Sequence, residues 1–167
     1  MTQPDVNPFE AFMEPLMRKL ANDGDANSMF NLGVIEQNKG DARSAKRWWK
    51  DAASKGHLKA MHNLGTVAAK KGKDREAITW FERAANGGLL DAVGPLVLLH
   101  HQRGELAKVV AWYQFAADRG NAEAMLNLAG YYGERGDNAA SSKWLIAAAQ
   151  AGSEKARNVL IGWGYQW

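Results

Sequence analysis

The sequence contains no cysteine. That removes a disulfide framework, thiolate zinc sites, iron–sulfur clusters and thiol catalysis, and leaves the redox compartment open. No apolar run approaches the roughly 20 residues that a bilayer demands of a helix. The opening residues, "MTQPDVNPFE", have no basic segment followed by an apolar one, so no signal peptide is expected and a cytoplasmic protein is. The net charge of +3 is too weak to argue for nucleic acid. Catalytic signatures are missing too: no phosphate-binding glycine loop, no HExxH, no nucleophile elbow. The histidines His57, His62, His100 and His101 meet no converging third ligand, and the carboxylates form no evident acid–base pair. No metal, cofactor, small-molecule substrate or catalysis is expected.

What the sequence does have is a repeat of unbroken register. Glycines fall at 24, 56, 88, 120 and 152, and a second series falls at 40, 72, 104 and 136. Leucine recurs at 32, 64, 96, 128 and 160, and tryptophan at 48, 80, 112 and 144. Alanine pairs stand at 52–53, 84–85, 116–117 and 148–149. Such spacing marks a repeat architecture.

Two glycines per unit leave halves long enough for roughly three to four turns of helix each. Glycine suits the left-handed position that closes a helix. Asp25, Asp41, Asn121, Asp137 and Ser153 each follow one, where an N-cap is wanted. Ala45, Trp48, Trp49 and Ala52 follow the i, i+3, i+4, i+7 pattern of an amphipathic helix. Each unit is therefore a helical hairpin, and hairpins that cannot bury their own apolar surface must stack. The expected large-against-small arrangement sets Gly33, Gly65 or Ala129 against the partner's alanine pair, with the tryptophan pair filling space towards the next hairpin.

The residues "NLG" at 31–33, Gly40, Ala45, "WW" at 48–49, "AA" at 52–53 and Gly56 resemble a Sel1-like repeat, a relative of the tetratricopeptide repeat. Four co-registered copies carry the resemblance over residues 24–167. It implies an all-α, right-handed α/α superhelical solenoid of about ten helices. The tyrosine of the family pattern stands only at Tyr132; Glu36, Ala68 and His100 replace it elsewhere.

The expected organisation is a disordered stretch 1–7 and a single domain over 8–167. Within it lie a helix cap at 8–23, repeats 24–55, 56–87, 88–119 and 120–151, and a closing cap helix at 152–167. Phe9, Phe12, Met13, Leu16, Met17 and Leu20 share one stripe of the front helix, which Pro15 should kink or divide.

The resemblance implies a protein–protein interaction scaffold that holds a peptide or protein partner in a concave groove lined by the first helices. The contact residues expected on that register are Phe30, Asn31, Val34, His62, Asn63, Thr66, Leu98, His101, Leu126 and Asn127. In the related tetratricopeptide proteins asparagine at the Asn31, Asn63 and Asn127 position grips peptide backbone, for which an amide has both donor and acceptor. The alternative for these asparagines is local helix–helix hydrogen bonding.

The third unit breaks the pattern. Gly94-Pro95 stands where Phe30-Asn31 does, and Val97 replaces the close-packing glycine. Either a hydrophobic pocket or a kinked, better-buried helix follows. A basic row, Lys39, Lys71, Arg103 and Arg135, could meet phosphate, but cations before a turn glycine also offset the helix dipole. Tyr165 and Trp167 would serve a homodimer, the principal alternative to a groove-binding scaffold. Nucleic-acid binding is the weaker alternative, since no stacking aromatics interleave the basic row.

Overall fold

A computed structural model describes the backbone of residues 8–165 and the side chains of residues 13–165. The expectations for residues 1–7, for the side chains of Phe9 and Phe12, and for Trp167 lie outside the described residues. The chain divides into two compact units, residues 1–89 and 90–167. Among the described residues there are ten α-helices and no strand.

The first unit holds α1 (Pro8–Asn22), α2 (Ala26–Asn38), α3 (Ala42–Ser54), α4 (Leu58–Lys70) and α5 (Asp74–Asn86). Helices α2 with α3, and α4 with α5, form hairpins, and α1 packs on α2. The second unit opens with a 3-10 turn, Leu90–Ala92, followed by α6 (Val93–Gln102), α7 (Leu106–Ala117), α8 (Ala122–Glu134), α9 (Asn138–Gln150) and α10 (Glu154–Gly162). There α6 with α7, and α8 with α9, form hairpins, and α10 packs on α9.

Both glycine series do what their spacing predicts. All nine have positive φ, from 66° at Gly72 to 107° at Gly88. The cap residues also act as expected. Asp25 accepts from the Ser28 amide at 2.6 Å, Asn121 from Ala124 at 2.8 Å, and Asp137 from Ala140 at 3.0 Å. His57, a residue that capping preferences do not favour, fills the same role: its Nδ1 accepts from the Ala60 amide at 3.2 Å.

The core is the leucine and alanine register. Leu32, Leu64, Leu96, Leu128 and Leu160 are buried, as are all four alanine pairs. Each leucine contributes at most about 1.5–3 kcal/mol by leaving water.

The large-against-small arrangement differs from the expectation. Gly33 lies under the ring of Trp49, and Gly65 under that of Phe81, not against the alanine pair. A Cβ on Gly65 would sit 2.7 Å from Phe81 Cε1, closer than side chains tolerate. In the first two hairpins the second bulky residue of the pair therefore inserts into its own hairpin and does not reach for the next. Where the inserted residue is smaller, as at Leu145, the facing residue grows to Ala129, and both are buried.

Pro15 does not divide α1, which continues through it. One missing N–H is tolerated where ion pairs hold the neighbouring turns. Glu14 pairs with Arg18 at 2.6 Å and with Lys39 at 2.7 Å, and Arg18 reaches Glu36 of α2 at 2.7 Å. Lys39 and Arg18 hold the Glu14 carboxyl below its usual range. Pro95 costs no helical hydrogen bond either: it is the third residue of α6, where the N–H has no intrahelical partner. The expected kink is instead a late start, with the 3-10 turn preceding a ten-residue helix.

Candidate functional site

The ten contact residues expected from the register lie on α2, α4, α6 and α8. In the first unit Phe30 stacks on His57, centroids 4.5 Å apart, and His62 meets Phe81 edge-on at 5.3 Å. Burial lowers the His57 pKa below its ordinary value, which suits the unprotonated Nδ1 that the cap requires. Val34, Asn63 and Thr66 line a cavity of about 310 Å³ with Gln37, Trp49 and Lys70. Asn31 is exposed and does not line that cavity.

In the second unit Leu98, His101 and Asn127 line a larger cavity of about 460 Å³. Leu90, Val93 and Val97 supply its apolar wall, while Tyr113, Asp91 and Glu123 supply polar groups. Burial, and then the Glu123 charge, push the Tyr113 phenol up. Leu126 lies in a separate cavity with Glu123 and Lys155. Among the described residues, the side-chain amides of Asn31, Asn63 and Asn127 hydrogen-bond to nothing within the protein, so local helix–helix bonding does not explain them.

The family model described as tetratricopeptide repeat matches residues 57–86, the α4–α5 hairpin with its cap residue. The crystal structure of a Sel1 repeat protein from Oxalobacter formigenes superposes with a TM-score of 0.66 at 27% identity, over 90% of this chain. The chain is built of Sel1-like, tetratricopeptide-type repeats.

A second Sel1-like-repeat structure is c5321, a protective antigen present in uropathogenic Escherichia coli strains, with TM-score 0.63 and 26% identity over 86% of this chain. The chain spans 66% of the length of the first of these proteins and 34% of the second. YrrB, a tetratricopeptide protein with an unusual peptide-binding site, shares the fold at TM-score 0.50 and 19% identity, covering 87% of this chain and 82% of its own. No curated protein matches the chain. Sel1-like and tetratricopeptide repeats form all-α solenoids that serve in general as non-catalytic protein-interaction modules.

Other expected features fall into place on the Sel1-like frame. Lys39, Lys71, Arg103 and Arg135 are the C-cap residues of α2, α4, α6 and α8, where a cation meets the negative helix end. Lys39 pairs with Glu14, Arg103 with Glu105, and Arg135 lies 3.8 Å from the Tyr131 ring centroid. His100 takes the family's tyrosine position. Only 1% exposed, its ring places Nδ1 2.6 Å from Glu105. His100, Arg103 and Lys108 hold the Glu105 carboxyl at about 2. Glu105 is thereby committed to side chains and makes no cap bond to α7. Among the described residues no three metal-ligating side chains converge, and no helix is long and apolar enough to cross a membrane.

Proposed function

We propose that this protein is a non-catalytic interaction scaffold in which the first helices of each unit, α2 and α4 in one and α6 and α8 in the other, carry contact residues for a peptide or protein partner. One observation carries the reading: three side-chain amides at one register position, Asn31, Asn63 and Asn127, hydrogen-bond to no described residue, and two of them line cavities. An amide so placed offers a donor and an acceptor to an extended backbone. YrrB, a tetratricopeptide protein of the same fold, has an unusual peptide-binding site of its own, which supports the reading. The test is affinity capture from the source organism's lysate by wild type and by Asn31/Asn63/Asn127→Ala of equal melting temperature. A partner held by wild type and lost from the variant supports the scaffold reading; equal retention removes the amide row from it.

A second reading rests on α10. Ile161 and Trp163 are 58% and 64% exposed, whereas the matching residues of the first hairpin, Gly33 and Ile35, are buried. A second copy could cover this face. Sedimentation of wild type and Trp163→Ser over a wide concentration range tests it; a monomer at every concentration ends it.

A further inference from the structure

The second-unit cavity exists because one repeat lacks a side chain that its counterparts have. Phe30, His62 and Leu126 occupy one register position, and Gly94 occupies it in the third repeat. A Cβ built on Gly94 meets nothing within 4 Å. The same repeat carries two more changes beside that opening. Val97 stands where Gly33 and Gly65 accept a ring, and the residue that would insert there, Tyr113, is only half-buried, whereas Trp49 and Phe81 are 4% and 1% exposed. Pro95 replaces the asparagine of the amide row, so this repeat has no amide with which to hold backbone.

The cavity's charge is one-sided. Asp91 and Glu123 line it and pair with no cation among the described residues, and no lysine or arginine is in its wall. The first-unit cavity has the opposite character, with Lys70 and no carboxylate. At about 460 Å³ the volume lies within the roughly 300–1,000 Å³ typical of ligand pockets. Leu90, Val93 and Val97 make its wall apolar.

We propose that this cavity is a side-chain socket: it takes a leucine- or phenylalanine-sized residue of a partner peptide into the space that Gly94 leaves, with a neighbouring lysine or arginine of that peptide held between Asp91 and Glu123. This rests on the peptide-scaffold reading and names what one repeat reads. The first, second and fourth repeats carry the backbone-holding amide, and the third selects a side chain.

The probe is a random twelve-residue peptide library displayed on phage and selected on the full chain. Enriched peptides should share a large apolar residue within two positions of lysine or arginine. Gly94→Leu should lower their affinity about tenfold or more by filling the socket with its own side chain. That variant should melt no lower than wild type, because the position is open and leucine favours helix over glycine. Gly94→Ala is the milder second variant. Asp91→Asn with Glu123→Gln should cost about fivefold and flatten the salt dependence. Peptides that bind Gly94→Leu within about twofold of wild type, yet lose affinity in the asparagine triple variant, overturn the socket and leave the scaffold reading standing. Peptides lost from Gly94→Leu but carrying no cation overturn the charged half. A library from which nothing is enriched overturns the scaffold reading and the socket with it.

Discussion

Helix α4 with its cap residue and the segment 89–102 share one repeat register, yet most of their positions differ. His57 caps α4, while Leu89 at the same register position has no acceptor to offer. His62-Asn63 becomes Gly94-Pro95, and Gly65 becomes Val97. The outcome is a regular thirteen-residue helix in one case and a 3-10 turn with a ten-residue helix beside a cavity in the other. The repeat therefore carries structure at its glycines, leucines and alanines, and leaves the exposed side of the first helix free to vary. Leu98, 57% exposed in the third repeat where Thr66 stands in the second, makes the same point.

The sharpest way to break the comparison is to move the third repeat's valine into the second. Gly65→Val forces branched carbons into the Phe81 ring, and overpacking of this kind costs about 1–3 kcal/mol. We expect the upper end, about 3 kcal/mol by urea unfolding, because Phe81 is fully buried. Adding Phe81→Leu copies the Ala129 and Leu145 solution and should recover part of the loss. Strict additivity of the two changes would show that residues 65 and 81 do not act as a pair.

Much of this was legible in the sequence. The 32-residue register located every hairpin, and the glycine series located every turn, because a left-handed φ is a local demand that one residue type meets at no steric cost. Asp25, Asn121, Asp137 and Ser153 were legible as caps for the same local reason. The partner of Gly33 was not. Periodicity says that a face is small, but which neighbouring side chain falls over it depends on how two helices are phased, and Trp49 was misplaced accordingly. Beside Pro95 a kinked helix was one of two expectations, and the structure has a late start in its place, where Leu89 offers no cap. His57 escaped notice as a cap because only its neutral Nδ1 can accept. Of the candidate site, the amide row was visible, while the space above Gly94 was not, since a glycine in a sequence looks like a missing residue and only its surroundings make it an opening.

A smaller effect follows from moving the third repeat's cap residue into the fourth. Asn121→Leu removes the acceptor for the Ala124 amide, which typically costs about 1 kcal/mol. The start of α8 should then retreat by about a turn, detectable as faster amide exchange at residues 122–125. Unchanged exchange would mean that packing, not the cap, positions the first turn.

The smallest expected effect distinguishes the caps of α4 and α8 from each other. His57 can accept from Ala60 only while Nδ1 is unprotonated, whereas Asn121 makes the equivalent bond at any pH. Burial lowers the His57 pKa in the folded chain below the ordinary 6.5 that the unfolded chain retains. Between those values the unfolded state binds the extra proton, so stability rises with pH. The contribution is fully present above about 6.5, and it is lost as pH falls through the folded value. The Phe30 ring stacked on the imidazole adds to the preference for the neutral form, since it shields that face from water. Comparing urea midpoints of wild type and His57→Asn at pH 7.5 and 5.5 isolates the effect from the other histidines. The two proteins should be close at the higher pH, and the variant should gain on wild type at the lower one by less than about 1 kcal/mol. Parallel pH dependence in the two would mean that the first turn of α4 is held by the Phe30–His57 stack and the buried Met61, with the imidazole nitrogen incidental to it.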